Sequence, residues 1–152
     1  MPDLKVGDLA PSINDLEWVR GESLEAFQRG KVYIIAFMTT TCPACAREMP
    51  RLRQLQKKYR DVGLDVIGVV LLERDSTAAE ARADVHAWLN RTCPNLNFGI
   101  GVDLTGQKYR LWMEPSHSTE VPTLFIVDRD GNVAAIDPTG LDYVVPKVLD
   151  GS

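Results

Sequence analysis

The stretch FMTTTCPACAREMP, residues 37–50, sets two of the chain's three cysteines, Cys42 and Cys45, three positions apart at what reads as a strand-to-helix junction. Upstream, KVYIIAFM (31–38) is β-branched and aromatic with almost no polar interruption, the composition of a strand buried on both faces. Downstream, Met49, Leu52, Leu55 and Tyr59 recur at helical spacing while Arg47, Arg51, Lys57 and Lys58 point to solvent, which predicts a helix from about Pro43 to Tyr59. Pro43 suits the first helical position, where no amide donor is missed. Pro50 falls inside the helix and is expected to kink it.

Three readings of the cysteine pair compete: half of a metal site, a redox pair, or two inert buried residues. A closed zinc site wants four ligands, and the remaining candidates, Cys93, His86 and His117, have no pair spacing. Two inert cysteines would leave the strand-to-helix position and Pro43 without a reason. A cysteine at a helix start lies near unpaired amides and the positive end of the helix dipole, which favour thiolate over thiol. Cys42 is therefore the candidate nucleophile. Cys45, about one turn on and more buried, is the candidate resolving thiol. Its attack requires loss of a proton in a poorly solvated place, and Glu48, three residues further, is a neighbouring base on the same helix. The competing reading of Glu48 is a solvated helix glutamate.

Outside this stretch, apolar runs alternate with amphipathic ones. INDLEWV (13–19) reads as an extended lead, and Ser23 as the N-cap of a short helix over LEAFQ. LDVIGVVLL (64–72) is a second buried strand, and STAAEARADVHAWLNR (76–91) a helix capped by Ser76 with Val85, Trp88 and Leu89 inward. NFGIGVD (97–103) reads as a strand and TGQKYRLWM (105–113) as a short helix. TLFIVDRDGNVAAID (123–137) is two apolar runs around Asp130-Gly131, a hairpin signal, and LDYVVPKVL (141–149) a last helix. This order predicts one α/β domain over residues 1–152, a central mixed sheet with helices on both faces.

Composition narrows the function classes. With 45% hydrophobic and 25% charged residues the chain can build a core, and three cysteines cannot make a multi-disulfide scaffold. The net charge of −4, without a basic cluster, offers no footprint for nucleic acid. No apolar run approaches the roughly 20 residues a membrane helix needs, so no membrane insertion is expected. The start, MPDLKVGDLAP, lacks a leader's basic and apolar regions, which is expected of a cytoplasmic protein or of a mature chain cut after export.

Three regions together resemble the thioredoxin superfamily, and within it the TlpA/ResA-like thiol-disulfide oxidoreductases of the redoxin domain: KVGDLAPSIN with RGESLEAFQRGKVYIIAF, CPACAREMPRLRQLQKKY, and VPTLFIVDRDGNV. The resemblance implies a thioredoxin-like fold, disulfide exchange with protein thiols, no diffusible cofactor, an upstream thiol-disulfide protein as electron donor, a monomer, and a place in the bacterial envelope. It matches Pro122, which by its own context reads as a proline at a strand entry, to a cis-proline beside the cysteine pair, with the backbone of Val121 pairing with substrate; Thr41 and Pro43, on either side of Cys42, are further substrate-side candidates. It also matches Glu48 to a glutamate that tunes the pair's protonation. Thr41 stands where many relatives carry tryptophan, Pro-Ala replaces the Gly-Pro of common reducing thioredoxins, and Ala36 occupies a strand position often acidic in cytosolic ones.

Two rival functions remain open. A peroxiredoxin-like thiol peroxidase would use a P-x-x-x-T-x-x-C loop, of which Thr39 and Cys42 match but Ile35 does not match the proline. A Cu(I)-binding thioredoxin-like module would use both thiolates as soft ligands. Cys93 reads as a small buried residue or a regulatory thiol, His86 and His117 as solvated, and Trp18, Trp88 and Trp112 as core fillers, with Trp112 also placed to line a substrate groove.

Overall fold

The computed structural model describes residues 2–151. Its strands are β1 (Glu17–Arg20), β2 (Val32–Met38), β3 (Leu64–Leu71), β4 (Gly99–Asp103), β5 (Thr123–Val127) and β6 (Val133–Ile136), in the spatial order β1-β4-β3-β2-β5-β6. β2, β3 and β4 run parallel; β1, β5 and β6 are antiparallel to their neighbours. Three α-helices complete the frame: α1 (Pro43–Tyr59), α2 (Ala78–Thr92) and α3 (Leu141–Leu149). The fold is thioredoxin-like. Among the described residues no helix is long and apolar enough to cross a membrane.

The position of the helices follows from chirality. Parallel neighbours need crossover connections, and these are right-handed. Because β2, β3 and β4 step in one direction across the sheet, two right-handed crossovers set α1 and α2 on the same face. There, Met49, Leu52 and Val85 share a core with Val32, Ile34, Ala36 and Met38, one side of β2, and α3 joins through Val145. The alternate residues Tyr33, Ile35 and Phe37 build a second core with Ile13, Leu16 and Trp112. This face is covered by the N-terminal arm and a π-helical turn, Tyr109–Met113. All seven residues of β2 are buried, as its uninterrupted apolar run requires.

Two polar side chains satisfy backbone groups that the sheet leaves over. β4 pairs with β3 only from Ile67 on. Over the preceding residues buried Gln56 of α1 takes the role of a strand, its Nε2 donating to the Leu64 carbonyl at 2.7 Å and its Oε1 accepting the Val66 amide at 2.7 Å. Each such group left unpaired costs about 1–3 kcal/mol. Arg129, after β5, donates to the carbonyls of Gly30, Val62 and Leu149 and so ties the hairpin to the starts of β2 and β3 and the end of α3. Within the hairpin turn, Asp128 Oδ1 accepts the amides of Asp130 and Asn132, and Gly131 supplies the positive φ of +85°.

Local structure departs from the sequence reading at three places. The helix expected after Ser23 does not form. Phe27 instead packs on Tyr33 at 4.9 Å, and the Gln28 amide donates to the Tyr33 hydroxyl at 2.9 Å rather than to a helical carbonyl. α2 is capped by Thr77, not Ser76, because only Thr77 has a glutamate three residues on. Thr77 Oγ1 accepts the Glu80 amide at 3.1 Å and Glu80 Oε1 accepts the Thr77 amide at 2.9 Å. The short helix at 105–113 is mostly the π-helical turn, which buried Asp103 opens by accepting the amides of Lys108 and Tyr109. α1 is continuous through Pro50.

Candidate active site

β2 ends at Met38, a turn covers residues 39–41, and Cys42 is the N-cap of α1 with an extended backbone, φ −102° and ψ 107°. Pro43 opens the helix. Cys42 Sγ accepts the Cys45 backbone amide at 3.0 Å, one of the donors a helix start leaves unpaired. Both cysteines are free thiols; Cys42 is partly exposed, whereas Cys45 is 0% exposed. The first sulfur can meet a large substrate and the second cannot.

Burial, the Cys42 thiol beside it and the Cys42 charge push the Cys45 thiol from its ordinary 9.0 up to about 12. The buried sulfur therefore stays protonated until a base removes its proton. A stability effect follows for the reduced protein. Above pH 9 the unfolded chain gives up this proton while the folded chain keeps it, so the folded state loses ground as pH rises from about 9 toward 12. The loss approaches about 1.4 kcal/mol per pH unit. Denaturation of the parent and of Cys45→Ala across this window, both under reducing conditions, is expected to show the steeper decline only in the parent. Equal slopes would refute the buried protonated thiol.

The second wall of the site comes from the other end of the chain. Antiparallel pairing sets Thr123, the first residue of β5, opposite Phe37 near the end of β2. The Val121–Pro122 peptide just before it is cis, and the Cys42 thiol donates to the Val121 carbonyl at 3.5 Å across 79 positions of sequence. Cys42, Cys45, Pro43 and Val121-Pro122 are thus brought together. Thr41 is exposed and its hydroxyl donates to the Glu73 carboxylate, at 2.7 Å to Oε1 and 2.8 Å to Oε2. Glu73 belongs to the irregular segment between β3 and α2, and nothing in the sequence marks it beyond being a charged residue after a strand.

Other candidates fall elsewhere. The Glu48 side chain, 24% exposed, pairs with Arg51 at 3.6 Å, and among the described residues neither thiol donates to its carboxylate. Cys93 is buried at the end of α2, where its amide donates to Leu89. His86 is exposed, and His117 pairs with Asp3 at 2.9 Å. Trp112 is 0% exposed in the second core, its indole donating to the Ser12 carbonyl at 3.0 Å, so it fills the core and does not line a groove. Lys108, which a helical pattern would leave in solvent, is 1% exposed, and burial lowers its pKa. Among the described residues no group of three or more His, Cys, Asp or Glu is placed to hold a metal ion.

Comparison with known proteins agrees with this geometry. Residues 6–136 match the model of the AhpC/TSA family. Protein FixW of Rhizobium leguminosarum is 41% identical over 150 residues, covering 98% of this chain and 68% of that protein. The thiol-disulfide oxidoreductase ResA of Bacillus thuringiensis subsp. konkukian is 29% identical over 132 residues, 86% of this chain and 68% of its own. Among solved structures, a thiol:disulfide interchange protein of the thioredoxin family from Chlorobium tepidum superposes with a TM-score of 0.72 at 24% identity, covering 97% of this chain and 99% of that one. The sheet, the paired thiols at the head of α1 and these matches lead to one assignment: the chain belongs to the AhpC/TSA family, as a ResA-like member of the thioredoxin superfamily.

Proposed function

We propose that this thiol-disulfide oxidoreductase works as a reductase of protein disulfides. The observation that carries disulfide exchange is the asymmetry of the pair, a partly exposed Cys42 sulfur at the helix head with the fully buried Cys45 behind it, and the reductive direction is what the reduction potential tests. In the forward direction the Cys42 thiolate attacks one sulfur of a substrate disulfide, forming a mixed disulfide and releasing the other substrate sulfur as thiolate. Cys45, once deprotonated, attacks the Cys42 sulfur, closing the Cys42–Cys45 disulfide and releasing the second substrate thiolate. Two electrons pass from the pair to the substrate, and the released thiolates take up protons.

The Val121-Pro122 segment beside Cys42 serves in this reading as the platform on which the substrate backbone lies, and Thr41 and Pro43 flank the attacking sulfur. In this reading Glu48, the one carboxylate on α1 and three residues beyond Cys45, leaves Arg51 to take the Cys45 proton when the mixed disulfide forms. Another thiol-disulfide protein re-reduces the closed pair. The reading is tested by the reduction potential, from equilibration against graded glutathione or dithiothreitol buffers. A reductase is expected near or below about −250 mV, and a value above about −180 mV would reverse the assigned direction.

A further inference from the structure

The carboxyl ends of β2, β3 and β4 lie on one edge of the sheet, the edge where open α/β sheets bind ligands. A groove of about 280 Å³ runs there from Thr40 and Thr41, the residues in front of the nucleophile, past Glu73 and Arg74 to Asp84 on α2. The Thr41–Glu73 bond holds one carboxylate at the end of this groove nearest Cys42. A carboxylate has about four acceptor positions, and one hydroxyl hydrogen occupies only part of them. Among the described residues no lysine, arginine or histidine lies within ion-pair distance of Glu73. The groove is lined by two carboxylates, Glu73 and Asp84, against one guanidinium, Arg74.

We infer that Glu73 is a specificity-determining residue, selecting substrate segments that carry a lysine or arginine close to the reactive cysteine. The inference rests on the oxidoreductase reading above. Reach supports it. An extended substrate advances about 3.3 Å per residue, and Thr41, one Cα step of about 3.8 Å from Cys42, presents the carboxylate just beyond its hydroxyl. A side chain one or two residues from the substrate cysteine therefore has the reach to pair with Glu73 when the cysteine is bonded to Cys42. The groove leads away from the Val121 side, so the two walls divide the work: backbone pairing on one, charge selection on the other.

The test uses two short cysteine peptides, one with arginine and one with glutamate two residues from the cysteine, each as a mixed disulfide with a chromogenic aromatic thiol. Attack of Cys42 on the peptide sulfur releases the aromatic thiolate, the better leaving group. The reduced parent is expected to react about two- to fivefold faster with the arginine peptide, the range of an exposed ion pair. Glu73→Gln is expected to bring the ratio to about one, and Glu73→Lys to invert it; raising salt to about 1 M should flatten the parent's preference. Because the readout is a ratio, a general loss of reactivity cancels. A ratio that neither variant alters overturns the inference. If the parent also fails to react with a small neutral disulfide, the oxidoreductase reading itself falls.

Discussion

Cys42→Ser is expected to abolish disulfide exchange, whereas Cys45→Ser is expected to start the reaction and stop half-way, accumulating a mixed disulfide between Cys42 and the substrate. The two sulfurs differ in what surrounds them. Cys42 is accessible and caps α1, and its removal takes away the atom that forms the bond, so the rate should fall by about a thousandfold or more, as loss of a covalent nucleophile does. Cys45 is fully buried with its thiol pushed up to about 12, so it cannot start the exchange at neutral pH and is needed only to resolve it. Non-reducing electrophoresis and mass spectrometry of the Cys45→Ser reaction would display the trapped adduct. Accumulation of the adduct in Cys42→Ser instead would invert the assignment.

The second large effect is expected at Trp112. Its ring is fully buried and meets Phe125 at 5.1 Å, Phe37 at 6.0 Å and Phe27 at 6.1 Å between ring centres. Trp112→Ala opens a cavity among these rings and leaves the Ser12 carbonyl without its donor, a loss of about 3–5 kcal/mol. For a chain of this size that lowers the melting temperature by about 6–20 °C, at about 2–4 °C per kcal/mol. Trp112→Phe keeps most of the volume and loses the hydrogen bond, so about 1–2 kcal/mol is expected. Phe37 and Phe125 belong to β2 and β5, the strands that bring Cys42 and Val121 together, so the damage should reach the site as slower exchange. Urea denaturation showing less than about 1 kcal/mol for Trp112→Ala would contradict this packing.

The parts legible in the sequence are those where a local signal agrees with the tertiary frame. The VYIIAFM run of β2 is buried on both faces because the helices cover one face and the N-terminal arm with the π-helical turn the other, and an unbroken apolar run fits only a strand covered on both sides. Cys42, Pro43 and Cys45 could be read because helix capping is local chemistry. The start of α2 is legible to within one residue: Ser76 stands next to the true cap, Thr77, whose partner Glu80 the Ser76 reading does not use. What stayed hidden was set by partners distant in sequence. LEAFQ loses its helix to the Tyr33 hydroxyl, and Lys108 is buried by a turn that Asp103 holds. Glu73 could not be seen at all, since its role arises only where the end of β3 meets the turn before Cys42. The distribution of helices over the faces likewise needed the strand order, which no residue pattern encodes.

The central claim, a reversible redox couple made of Cys42 and Cys45, is tested most directly by peptide mass mapping after equilibration in oxidising and then reducing glutathione buffers. The expected result is loss of two hydrogen atoms in a fragment linking Cys42 to Cys45, with Cys93 untouched, and full recovery of both thiols on reduction. A pair that never closes, or a bond that forms through Cys93 instead, would contradict it.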